Sequence, residues 1–218
     1  MPSAILGALD HYNIASLIGG RSMITIFVCG AFVFGLSGGL AGAQKQLDFF
    51  GVVVLSGVVG LSGGAIRDIF LGIPAVAIFD WRVVSAVGLA GLVAFVAHRP
   101  LLALHHPIQV LDAIGLSLFS VIGADISLIH HAGPLAAALL GMATGVVGGA
   151  IRDIVVNEVP QVLRAGLYAV PSLAASGLVV AGYELKTLSL AWYAGAALVC
   201  LVVRLAGIWF DLDLPKAK

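Results

Sequence analysis

Charge is scarce in this chain. Only 10% of its 218 residues are Asp, Glu, Lys or Arg, 11 acidic against 11 basic, so there is no basic surface of the kind that holds nucleic acid. Its two cysteines, Cys29 and Cys200, lie within apolar runs, where they read as small buried thiols and exclude a disulfide framework. The early segment carries Asp10 and His11 ahead of its first arginine, Arg21, and lacks the charged start and apolar middle of a leader; the expectation is that nothing is cleaved. A P-loop, a Gly-x-Ser-x-Gly elbow, a His-Glu-x-x-His pair and a Thr-Val-Gly-Tyr-Gly filter are all missing. That argues against an enzyme, a bound cofactor and a tetrameric potassium channel. The adjacent pairs His105-His106 and His130-His131 point different ways and lack further ligands, so no metal site is expected.

What the chain has instead is apolar length. Sixty-one per cent of residues are hydrophobic and the mean hydropathy is +1.12, far beyond the soluble range. Apolar runs between short polar breaks predict seven transmembrane helices, at about 23–43, 49–66, 83–97, 108–129, 134–156, 165–183 and 189–209. The fold class is therefore an all-α integral membrane protein, a single transmembrane domain over residues 1–218, since no linker is long enough to divide it.

The phrase Gly-Gly-Ala-Ile-Arg-Asp-Ile occurs twice, at Gly63 to Ile69 and at Gly148 to Ile154. Matching outward keeps register: Phe34 falls on Phe119, Gly38 on Gly123, Gly60 on Gly145 and, after one inserted residue, Pro74 on Pro160. The chain is an internal duplication, with repeat one at about 23–97, repeat two at about 108–183 and a seventh helix alone at about 189–209. An odd number of helices per copy makes the two three-helix repeats inverted in the membrane. Arg21, Arg82 and Lys186 fall on the face of the amino terminus, and Lys45, Arg99, Arg164, Lys216 and Lys218 on the other. The bias predicts an outside amino terminus and a cytoplasmic carboxyl terminus.

Charge inside lipid is costly, and the duplicated Arg-Asp motif marks candidate site residues: Arg67 and Asp68 in one copy, Arg152 and Asp153 in the other. Neighbours on a helix point about 100° apart, so each is expected to find another partner: Asp125 for Arg67, and Asp48 or Asp112 for Arg152; the alternative is that both arginines snorkel to lipid headgroups and anchor helix ends. Ser62-Gly63-Gly64 and Gly148-Gly149 are the weakest places in the second and fifth helices, where a bend would bare carbonyls to a cation. The same glycines suit close helix packing, and both readings stand. Ser37, Ser56, Ser62, Ser117, Ser120 and Thr144 offer hydroxyls either to a wet path or to their own helix backbone.

Three segments together resemble one family: the repeated Gly-Gly-Ala-Ile-Arg-Asp, the run Phe34-Gly-Leu-Ser-Gly-Gly-Leu-Ala-Gly, and Asp112-Ala-Ile-Gly-Leu-Ser-Leu-Phe-Ser-Val-Ile-Gly-Ala. They are similar to the prokaryotic trimeric intracellular cation (TRIC) channels. The resemblance implies a homotrimer in a prokaryotic plasma membrane, in contact with membrane lipid. Each subunit would have a pore between the repeats that conducts potassium, sodium and other monovalent cations, gated near the glycine bends. The family's three-glycine bend is altered here to Ser62 in one copy and Val147 in the other, and the Lys-Glu-Val segment that animal members use for phosphoinositides is missing. A secondary transporter of a small solute such as glycine is the alternative.

Overall fold

Gly72 ends the long second apolar run. It adopts a left-handed conformation (φ 67°), and its N–H returns to the carbonyls of Asp68 and Ile69, capping a helix that Asp48 starts by accepting the Gly51 N–H at 2.8 Å. The computed structural model describes residues 20–164 and 167–212. Asp10, His11, Lys216 and Lys218, used above, lie outside them, as do the first two residues of the expected sixth helix.

Nine helices occupy the described residues: α1 Gly20–Gln44, α2 Phe49–Leu71, the one-turn α3 Val76–Phe79, α4 Trp81–Leu102, α5 Pro107–Ile129, α6 Pro134–Val155, the one-turn α7 Gln161–Arg164, α8 Ala169–Glu184 and α9 Leu190–Trp209. Prolines open α5 and α6 at the position where a missing N–H costs nothing. Six of the seven long helices are long and apolar enough to cross a membrane. The seventh, α8, has 16 residues, about 24 Å at 1.5 Å per residue. Helix α2 departs from its expected boundary by running past residue 66, so that it carries Arg67 and Asp68 within it, and α4 outruns the expected 83–97 at both ends.

Helices α1, α2 and α4 pack mutually, as do α5, α6 and α8, and the two groups meet through α2 against α6 and α1 against α5. Helix α5 is the centre, with 83% of its apolar span buried; α9 lies on α5 and α8 with only 22% buried, leaving an apolar face outward.

The expected bends do not interrupt the helices. Both α2 and α6 are continuous α-helix through Gly63-Gly64 and Gly148-Gly149, with no positive φ at any of the four. A Cβ on Gly63 would run into the backbone oxygen of Thr144, and one on Gly148 would come within 2.6 Å of the backbone oxygen of Val59. Under the duplication these contacts are images of each other, and their order is reversed along the two helices, so α2 and α6 cross antiparallel. The glycines are small because two backbones touch there. Phe34 stacks on its own image Phe119, ring centroids 5.5 Å apart and planes 17° from parallel, at the α1–α5 contact.

Candidate functional site

The last turn of α6 carries Arg152 into the protein interior, 1% exposed. Burial at this depth requires the guanidinium to be neutralised and its donors used. Nη1 donates to Asp112 Oδ1 at 2.6 Å and to Ser37 Oγ at 2.7 Å; Nε donates to Asp153 Oδ1 at 2.9 Å. Nη2 lies 2.8 Å from the same Asp153 oxygen. Asp112 comes from α5 and Ser37 from α1, so this one side chain joins the two helix groups.

Asp153 has a second task. Its Oδ2 accepts the backbone N–H of Gln161 at 2.8 Å and so fastens the start of α7. The side-chain oxygen of Gln161 accepts from Arg204 of α9, whose Nη1 donates to the Leu167 carbonyl at 3.2 Å. The Arg204 guanidinium lies over the buried Tyr168 ring, 4.5 Å from its centroid. The Tyr168 hydroxyl and Asp112 Oδ1 both crowd Gly149, which leaves no room for a Cβ.

A cavity of about 670 Å³ opens on this end of the molecule, with Arg152 and Asp153 in its wall beside Lys45, Gln109, Glu158 and Arg164. Lys45 and Glu158 form an ion pair at 2.6 Å across its rim, and the lysine holds the exposed Glu158 carboxyl below its ordinary range.

The Arg67 end is built differently. Arg67, 2% exposed, bonds Asp68 Oδ1 through Nε at 2.8 Å and Nη2 at 2.6 Å, and its Nη1 has no partner among the described residues. Asp125 does not pair with Arg67 here; it accepts the Tyr193 hydroxyl of α9. His130 closes α5 nearby, and burial together with the Arg67 charge pushes its pKa down.

Three expectations are thereby corrected. Each arginine pairs with its own neighbour, Asp68 or Asp153, because the long side chain curls around the helix and the 100° between Cβ directions limits only short side chains. Asp48 is spent capping α2 and makes no bond to Arg152. Asp125 belongs to Tyr193. Of the other polar candidates, Ser56 donates to the Val87 carbonyl of α4 at 2.8 Å. Ser117, Ser120 and Thr144 donate to carbonyls three or four residues back in their own helices, and Ser62 Oγ is buried without a partner among the described residues. The structure brings Ser37 alone of these hydroxyls onto the charged cluster.

Sequence reading missed Tyr168, Gln161, Tyr193 and Arg204. A signal for the last was present, since Arg204 is the one charge in the apolar run of α9. No group of three or more metal-ligating side chains occurs among the described residues.

A family model described as Glycine transporter matches residues 24–99 and again 109–184. The UPF0126 membrane protein SCO4104 of Streptomyces coelicolor is 42% identical over 196 residues, covering 89% of this chain and 90% of the relative. The UPF0126 inner membrane protein YadS of Escherichia coli strain K12 is 34% identical over 195 residues, 86% of this chain and 92% of the relative. Crystal structures of the trimeric intracellular cation channel orthologue from Rhodobacter sphaeroides superpose with a TM-score of 0.82 at 30% identity, covering 87% of this chain and 98% of that one. The chain is an all-helical membrane protein, not an enzyme, and it belongs to the TRIC family, the one to which the matched Glycine transporter model and these UPF0126 relatives also lead.

Proposed function

We propose that this protein is a cation channel of the inner or plasma membrane, permeable to potassium and sodium, with one path per subunit of a homotrimer. The path runs between two inverted copies, α1, α2, α4 and α5, α6, α8. Helix α8 counts as a span despite its length, because it stands in repeat two where α4 stands in repeat one, and the amino terminus lies outside. The antiparallel α2–α6 crossing supports the inversion, and the likeness to cation channel structures supports the activity.

The observation that carries this reading is the setting of Arg152 in the vestibule wall. Ser37 from one copy and Asp112 and Asp153 from the other hold a tethered guanidinium with their oxygens. If the arginine swings aside, the same oxygens remain as a weak, mixed hydroxyl and carboxylate site for a small cation. Such a site favours cations over anions and discriminates little between potassium and sodium, lacking an ordered ring of carbonyls. Gating then belongs to the Arg152–Ser37 contact between copies, while the glycines keep α2 and α6 close.

The family model's description supports a second reading, a carrier of glycine, for which a vestibule open at one end is equally suited. Purified protein in a planar bilayer separates the two. Stepwise, voltage-driven currents are expected; saturable glycine uptake into vesicles without such steps would replace the channel by the carrier.

A further inference from the structure

The contacts around Arg152 close on themselves. Arg152 pairs with Asp153, Asp153 holds the backbone of Gln161, Gln161 accepts from Arg204, Arg204 lies over Tyr168, and Tyr168 crowds Gly149 beside Asp112, which pairs with Arg152. Every member belongs to the second half of the chain. The ring leaves one contact of Arg152 to the other copy, the bond to Ser37.

From this closed circuit we infer that Arg204 and Tyr168 are positioning residues for the Arg152 mouth, and that the helix outside the duplication sets that mouth's geometry. Arg204 is 3% exposed and reaches the vestibule wall only through Gln161, so it acts behind the lining. Its guanidinium makes two kinds of contact at once, a cation–π contact over the Tyr168 ring and forked donation to Gln161 and Leu167. A lysine keeps the charge but cannot make both contacts together. The Tyr168 hydroxyl and Asp112 Oδ1 share the space over Gly149, which sets the tyrosine beside the carboxylate that holds Arg152.

The inference rests on the channel reading only for its electrical readout, so the test has two arms. In the first, full-length Arg204→Lys, Arg204→Gln and Tyr168→Phe are recorded in planar bilayers beside wild type. All three should alter the open fraction, Arg204→Lys included although its charge is kept, and an Arg152→Gln background should abolish the added effect of Arg204→Gln. In the second, Val156→Cys on the vestibule wall, in a Cys29→Ser chain, is labelled by cationic and anionic thiol reagents. This needs no ion flow, so it decides the inference even if wild type carries no current and the channel reading falls. Arg204→Gln should shift the ratio of the two labelling rates toward the cationic reagent by about four-fold, each rate moving about two-fold as one unit charge roughly 10 Å away in water dictates. Tyr168→Phe and Arg204→Lys should shift it too, because Arg152 is displaced. Lower melting temperatures with unchanged open fraction and unchanged ratios would reduce both residues to packing and overturn the inference. Arg204→Lys indistinguishable from wild type would leave a charge effect without positioning, and overturn it as well.

Discussion

One motif sits at two ends of the same molecule and meets two surroundings. At the Arg67 end the arginine closes on its neighbour Asp68, and one guanidinium nitrogen is left without a partner among the described residues. At the Arg152 end the identical dipeptide is drawn into Asp112, Ser37 and, through Asp153, the start of α7. The duplication supplied the motif, but its surroundings came from residues that differ between the copies: Asp112 stands at the register position that Phe27 holds in the first copy, and α9 packs on α5 and α8 of the second. A repeated motif therefore fixes position in the membrane, whereas its local partners decide what it does.

Removing the arginine should separate the ends most strongly. Arg152→Ala leaves Asp112 and Asp153 buried without their cation, a loss on the order of 3–5 kcal/mol, and thermal melting in detergent should fall or the folded species disappear. Adding Asp112→Asn should restore part of the stability, and the coupling in that double-mutant cycle measures the pair directly. Asp48→Asn should restore none, since asparagine caps α2 as well as aspartate.

Next comes the crossing that the two copies share. Gly148→Ala forces a methyl onto the Val59 backbone, and overpacking of this kind costs about 1–3 kcal/mol. Gly57→Ala and Gly88→Ala face open space and should leave the melting temperature unchanged or raise it, by virtue of about 1 kcal/mol in helix propensity. Equal effects at all three positions would remove the argument that backbone contact selects these glycines.

At the Arg67 end, Tyr193→Phe deprives buried Asp125 of a donor, for which about 1–3 kcal/mol is expected. Labelling at Val156→Cys, at the other end, should not change. The smallest effect belongs to the rim: Lys45→Ala breaks an exposed ion pair and should leave melting unchanged, because water screens both partners. A large loss there would make the rim pair part of the structure of the mouth.

Much of this architecture was legible in the residues. Apolar length foretold six of the helices long enough to cross a membrane, the twice-written Gly-Gly-Ala-Ile-Arg-Asp foretold the related pair α2 and α6, and placement on one side offered Arg152 both Asp48 and Asp112, of which the structure pairs it with Asp112. Helix geometry misled where it treated arginine as a short side chain, so that Asp68 and Asp153 were dismissed as partners for their neighbours. The glycine pairs carried two signals, flexibility and closeness, and only the position of the Thr144 and Val59 carbonyls chooses between them. Tyr168 and Arg204 lay outside any repeated pattern. Their roles depend on how α7 and α9 return to α6, a long-range fact that no local spacing encodes.

Whether cations cross each subunit past the Arg152 cluster is decided by the reversal potential of single channels in asymmetric KCl. A value near the potassium equilibrium potential is expected, little changed when sodium replaces potassium on both sides. A value near the chloride equilibrium potential would contradict that cation path.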